Sequence, residues 1–390
     1  MTRASRLTVV EMLARLIAFD TTSRNSNLAL IDFVRDHLDR LGVASTLIFD
    51  DTGSKANLLA TLGPDGRAGV VLSGHTDVVP VDGQDWSSDP FAVAARDGRL
   101  HGRGTTDMKG FVAAVLALLP ELLERRLAAP VHIALSYDEE VGCKGVPRLL
   151  DHLAHALPVM PFGCVVGEPT GMAIANGHKG KAGFECSVTG LASHSALNHL
   201  GVNAIEIAAE IIVHLRRRNL DFCAHGPSAE GFEPPHCTVT TGLVAGGTAL
   251  NIVPGACRFA FEFRTLPGQD AAGLLAEVQA FAASELLPAM RARHPGAVIA
   301  WRELMSYPAL GSAGATAFER LCCELAGGAA PRKVAFGSEA GLFAARGIAS
   351  VVCGPGDIAV AHQPDEYVEV ADLERCSQFL RRLVDRAVAA

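Results

Sequence analysis

Five short segments of this 390-residue chain set metal-ligating side chains among the turn residues that follow strands. They read Ser73-Gly74-His75-Thr76-Asp77, Thr106-Asp107-Met108-Lys109-Gly110, Asp138-Glu139-Glu140, Gly167-Glu168-Pro169-Thr170 and Ala361-His362-Gln363-Pro364. Together they offer two histidines and several carboxylates, with no cysteine in a ligand position. That donor mixture suits a pair of zinc or cobalt ions better than a structural zinc site, which usually closes with thiolates. A metal pair that leaves room for water is a hydrolytic device.

Taken singly, each segment has a plainer reading. A His-x-Asp is commonly a surface or capping pair, an acidic run is a solvated helix start where the dipole favours acids, and Gly-Glu-Pro is a turn. Their placement is what makes the set specific. The apolar run Gly69 to Leu72 reads as a strand just before His75 and Asp77, Val131 to Ser136 as one before Asp138–Glu140, and Cys164 to Val166 as one before Glu168. His362 lies in the loop after a strand from Ile348 to Cys353. Ligands of open α/β sheets collect at the carboxyl ends of strands.

The elements around these strands alternate. Helices are expected over Val9–Phe19, Leu28–Leu41, Lys109–Arg126 and Val146–Ala156, with further strands over Thr46–Phe49 and Asn57–Leu62. This predicts an α/β domain whose sheet is covered on both faces. After Glu168 the pattern changes. Strands over Phe184–Gly190, Cys237–Val244, Cys257–Arg264 and Val298–Leu304, with helices over Asn203–Arg218 and Ala271–Ala292 (kinked near Pro288), give a βαββαβ order. α/β character then returns with helices Ala315–Ala326 and Val370–Ala389. The expected layout is a domain of residues 1–175 and 307–390 with an α+β, ferredoxin-like domain inserted at 176–306. Hinges are expected near Ala173–Gly177 and Tyr307–Gly311.

Composition excludes other classes. A net charge of −8 disfavours non-specific nucleic-acid binding. The longest apolar run, Phe111–Leu119, is too short to span a bilayer, and no signal-type apolar segment follows Met1–Arg6. Ten cysteines without a Cys-x-x-Cys pair read as reduced thiols of a cytoplasmic protein. No Gly-x-Ser-x-Gly elbow and no Gly-x-Gly-x-x-Gly turn occurs, which argues against a serine hydrolase and a dinucleotide binder.

The stretch Ser73–Phe91, His101-Gly102-Arg103-Gly104-Thr105-Thr106-Asp107-Met108-Lys109-Gly110, Ser136-Tyr137-Asp138-Glu139-Glu140-Val141-Gly142 and Gly167-Glu168-Pro169-Thr170 resemble the M20 family of metallopeptidases and deacylases over nearly the whole chain. The likeness narrows to the acetylornithine deacetylases through Cys143, Gly177-His178-Lys179-Gly180, Ala192-Ser193-His194-Ser195 and Val352-Cys353-Gly354-Pro355-Gly356 leading to Ala361–Glu366. The resemblance implies a zinc-peptidase-like catalytic domain with a mixed central sheet and a lid domain that also dimerises. It implies two divalent ions, Zn²⁺ or Co²⁺, with Asp107 bridging, His75 and Glu168 completing one site, and Glu140 and His362 the other. It implies a cis peptide after Asp107 and Glu139 as general base. It also implies that His194 stabilises the oxyanion across a homodimer interface. From the residues themselves, Asp77 is suited to accept the second imidazole N–H of His75. Asn251 and Arg264 lie at strand–loop junctions of the inserted domain; Arg264 is suited to grip an α-carboxylate or to form a surface salt bridge, and Ser338 lies in a glycine-rich loop of the pocket or of a plain return. The expected reaction is hydrolysis of Nα-acetylornithine, a small-molecule substrate, to ornithine and acetate. A succinyl-diaminopimelate desuccinylase, another N-acyl-amino-acid deacylase or a dipeptidase would share these motifs. A non-catalytic amino-acid-binding scaffold would be expected to have lost a ligand or the base, and none is missing.

Overall fold

A computed structural model describes residues 6–311 and 314–388. The chain divides into two compact units. The first comprises Met1–Gly177, Leu310–Val334 and Ser338–Ala390; the second comprises His178–Ala309 and Ala335–Gly337.

The first unit is built on an eight-stranded mixed sheet. Its order is Ser45–Phe49, Ala56–Leu62, Val131–Ser136, Val70–His75, Gly163–Pro169, Ala349–Gly354, Ala175–His178 and Arg332–Val334. The middle four strands run parallel. Every residue of Val70–His75, Val131–Ser136 and Gly163–Pro169 is buried, as expected for parallel strands covered on both faces. The helix Lys109–Leu123 lies against this sheet and is buried over almost its whole length. A Cβ at Gly167 would run into the Phe111 ring, so this strand and helix pack at a spacing that only glycine permits. The helix Val9–Ile17 begins with a capping box, Thr8 and Glu11 each satisfying the other's amide. One apolar core, from Met12 to Val388, runs through the unit.

The second unit has four antiparallel strands in the order Thr238–Gly246, Ala256–Thr265, Gly180–Thr189 and Val298–Tyr307. With the helices Ala204–His225 and Ala271–Phe281 it follows the βαββαβ order, and the sheet's buried face packs on its own core of Phe184, Phe259, Phe261 and Phe263. The single helix expected over Ala271–Ala292 is three pieces, Ala271–Phe281, a π-turn Ala282–Leu286 and Leu287–Arg293. The break precedes Pro288, which has no N–H to continue the ladder. The last helix runs Val370–Ala387, residue 389 lying outside the described residues. No described helix is long and apolar enough to cross a membrane.

Candidate metal centre

Parallel pairing brings the carboxyl ends of the four middle strands together, and the sequence-predicted ligands gather there. His75 is the last residue of its strand, three residues beyond the expected end at Leu72, and Glu168 lies inside Gly163–Pro169. Asp107 lies two residues before the start of the buried helix Lys109–Leu123, and its peptide to Met108, the residue that caps that helix, is cis. Glu139 and Glu140 follow Val131–Ser136, and His362 follows a short turn after Ala349–Gly354.

The geometry has two halves sharing one carboxylate. Asp107 Oδ1 lies 2.9 Å from His75 Nε2, and Asp107 Oδ2 lies 3.0 Å from His362 Nε2. Glu168 Oε1 is 3.9 Å from His75 Nε2; Glu140 Oε2 is 3.1 Å from His362 Nε2. Glu139 belongs to the same cluster, its ligand atom close to those of His75 and Glu168.

The donor chemistry fits cations. His75 Nδ1 lies 2.9 Å from the main-chain carbonyl of Asp77, which can only accept, so Nδ1 carries the hydrogen. A neutral ring held this way turns a lone pair on Nε2 toward a carboxylate that also offers only lone pairs. That approach is favourable only with a proton or a metal ion between them. Two donors on one tetrahedral zinc, each about 2.0–2.1 Å from it, stand roughly 3.3 Å apart, within the observed range of separations. Asp77, Asp107, Glu139, Glu140 and Glu168 add five carboxylates to two imidazoles.

Without ions, protons must carry this load. Burial, reinforced by neighbouring carboxylates, pushes Glu139 up to about 8 and Glu140 up to about 7, and raises Glu168 as well. Hydrogen bonding to Asp107 and Glu140 lifts His362 to about 10. Burial opposes the charge on Asp107, but the bonds from His362 and His75 outweigh it and hold this carboxyl well below its usual range. Lys109, fully buried on the adjacent helix, is pulled down to about 7 by burial and donates to the Phe19 carbonyl at 2.9 Å.

Asp77 acts differently from the expectation. Its main-chain carbonyl holds the His75 ring, while its carboxylate, 3.7 Å from Nδ1, accepts from the amides of Glu139 at 3.0 Å and Glu140 at 3.3 Å and from Ser23 Oγ at 2.7 Å. A carboxylate prefers strong amide and hydroxyl donors already aimed at it, and a carbonyl suffices for the ring. Asp77 thereby joins the His75 strand to the Glu139–Glu140 turn. Ser338 is fully buried, and its Oγ accepts from Ala340 N at 3.2 Å in the turn before a short helix. Its neighbour Glu339, also fully buried, accepts from Ser73 Oγ and from Ser136 Oγ at 2.7 Å, tying together the two strands that deliver His75 and Glu139. Ser73, two residues before His75, and Ser136, three before Glu139, were the available signal for that tie.

In the second unit, His194 and Asn251 come together. Ser193–His194 pairs with Ile252–Val253, and Ser195 N donates to the Asn251 carbonyl at 3.0 Å. His194 is exposed, its Nδ1 accepting from Ala196 N at 3.1 Å. Arg264 lies near the end of Ala256–Thr265, its Nε 2.8 Å from Glu262 Oε1.

The model of the peptidase family M20/M25/M40 matches residues 71–386. The chain belongs to this family. An acetylornithine deacetylase of Myxococcus xanthus is 37% identical over 95% of both chains. Another, from Proteus mirabilis, is 33% identical over 97% of this chain and 96% of its own. Among solved structures, an M20 family metallo-carboxypeptidase from Sulfolobus solfataricus superposes with a TM-score of 0.74 at 16% identity, covering 97% of this chain and 98% of its own. A dinuclear metal-binding M20 peptidase from Bacillus subtilis gives 0.67 at 16% identity over 96% of both. At such identities these two establish the fold, a mixed α/β sheet flanked by helices.

Proposed function

We propose that this protein is a two-metal amidohydrolase that removes the acetyl group from Nα-acetyl-L-ornithine, releasing ornithine and acetate. The observation that carries the reading is Asp107, whose two oxygens face two different histidines, each with a further carboxylate beside it. The curated relatives in Myxococcus xanthus and Proteus mirabilis, which span almost the full chain, support the choice of substrate. His75, Glu168 and Asp107 would hold one ion, zinc or cobalt, and His362, Glu140 and Asp107 the other. Bound there, the ions would supply an acidified water and polarise the amide carbonyl.

The residues do the proton work and the positioning. Glu139 accepts the proton as water attacks and delivers it to the leaving amine. Asp77 fixes both the His75 ring and the main chain of Glu139 and Glu140. Residues 176–306 serve as lid and dimerisation domain, with Arg264 and Asn251 gripping the substrate's α-carboxylate end. His194 donates to the developing oxyanion of the partner's site. The ten cysteines are all free thiols, which supports a reducing, cytoplasmic setting.

The test is release of ornithine and acetate from Nα-acetyl-L-ornithine by purified protein, with and without added Zn²⁺ or Co²⁺. Succinyl-diaminopimelate, other N-acyl amino acids and dipeptides run alongside. Metal-dependent turnover that favours acetylornithine is expected. Preference for another member of the panel would replace the substrate, and no turnover by metal-loaded protein would sink the enzymatic reading.

A further inference from the structure

A second network lies beside the metal cluster without touching a ligand side chain. Glu366 is 1% exposed, and four donors converge on it. Oε2 accepts from Arg103 Nη1 at 2.7 Å and from Gly104 N at 3.0 Å; Oε1 accepts from Thr106 N at 2.9 Å and Asp107 N at 3.0 Å. Arg103, equally buried, carries the connection on. Its Nη2 donates to Gln84 Oε1 at 2.6 Å, and its guanidinium lies over the Trp86 ring. Gln84 Nε2 then donates to the main-chain carbonyl of His362 at 2.9 Å. The contacts close a ring from the amide of Asp107 through Glu366, Arg103 and Gln84 to His362, whose Nε2 returns to Asp107.

The two halves of the metal cluster are therefore supported by different means. His75 ends a fully buried central strand and Glu168 lies within another, so the sheet fixes both. His362 sits in irregular chain at φ +63° with its side chain 48% exposed. What holds its main chain is the Arg103–Glu366–Gln84 network, with Ser87 pinning Asp365 nearby through two hydrogen bonds.

We infer that Glu366, Arg103 and Gln84 are positioning residues that act chiefly on the His362–Glu140 half of the metal centre, while the other half, which shares Asp107 with it, is set chiefly by the central sheet that carries His75 and Glu168. The inference rests on the two-metal reading above. Glu366→Gln removes the charge that faces Arg103 and turns an amide NH₂ toward main-chain N–H donors, so the buried ring cannot close as before.

The experiment loads the protein with Co²⁺, challenges it with a chromophoric chelator, and follows release together with the cobalt visible spectrum. Wild-type protein is expected to hold two equivalents. In Glu366→Gln one equivalent should leave about 10- to 100-fold faster, a usual effect of disturbing groups behind the ligands, while the other, which shares Asp107 but keeps its two sheet-held ligands, should accelerate by a clearly smaller factor. The cobalt that stays should give the spectrum of His362→Ala, in which only the sheet-held half is intact. Gln84→Ala leaves the Arg103–Glu366 pair in place and should accelerate the same equivalent to a smaller degree; it decides the matter if Glu366→Gln does not fold. Wild-type rates in both variants, or equal acceleration of both equivalents, would overturn the inference and leave two metals standing. A wild-type protein that retains fewer than two equivalents would overturn the two-metal reading and this inference with it.

Discussion

Glu139 and Glu140 are chain neighbours with different assignments, base and ligand, and Asp77 accepts the main-chain amide of each. Replacing Glu139 with Gln keeps its size and removes its basicity. The expected result is a loss of kcat of about 100- to 10,000-fold with metal content unchanged, checked by steady-state kinetics beside metal analysis. Loss of metal in this variant would make Glu139 a ligand. The same carboxyls predict how pH acts on the metal-free protein. Burial holds the Glu139 and Glu140 carboxyls at about 8 and about 7 in the folded protein, above their ordinary value of 4.5, so stability falls as pH rises from 4.5 toward 8. His362, raised from 6.5 to about 10, contributes stability below 6.5 that is lost as pH climbs through 10, in the same direction. Metal ions take the place of those protons, so the gap in Tm between loaded and chelator-treated protein should widen from about pH 6 to about pH 8. A constant gap would count against the cluster as a metal centre. At this scale the sequence was legible where a residue type implies its chemistry, as for the histidines and acids at strand ends. It was silent on which atom of Asp77 meets which partner, because that depends on how two distant segments are brought side by side. The same holds for Glu339, whose serine partners lie 266 and 203 positions away.

The strands and helices position these side chains, and the glycine at 167 shows how tightly. Gly167 immediately precedes Glu168 in a buried strand, and the space a Cβ would need is filled by the Phe111 ring. Gly167→Ala should overpack this layer and cost about 1–3 kcal/mol, read as a lower denaturation midpoint with an unchanged m-value. Because the displaced strand carries Glu168, metal affinity should fall in the same variant; normal stability and affinity would show that the layer relaxes freely. The long buried strands and amphipathic helices were legible because burial leaves a periodic mark in the residues. Several elements left no such mark. The strands Ala94–Arg96, Arg99–His101 and Tyr367–Glu369 form a three-stranded sheet of mostly exposed or half-exposed residues, too short for any alternation to register. The helix Ala340–Ala345 is six residues long with Gly341 inside it, and its support comes from packing on Ala349–Gly354 rather than from propensity.

For the whole molecule, the second unit presents an open sheet edge. Thr238–Gly246 is the terminal strand of its sheet, and Leu243 and Val244 on it are 72% and 64% exposed, with Leu250 fully exposed in the loop beyond. Exposed apolar side chains on an unpaired edge are an aggregation hazard, and a second copy of the same edge would cover them. A homodimer through this edge fits the proposal that His194 serves the partner's site. Leu243→Lys with Val244→Lys should therefore shift the protein from dimer to monomer in light scattering and depress turnover with it. Subunit exchange isolates the role of His194. His194→Ala and Glu139→Gln homodimers should each be nearly inactive. Mixed under exchange conditions, they form hybrids in which one site takes Glu139 from the first protomer and His194 from the second, and activity should reappear. If His194 acted within its own subunit, every hybrid site would lack one of the two groups and the mixture would stay inactive. That result would keep the metal chemistry and remove the need for a dimer.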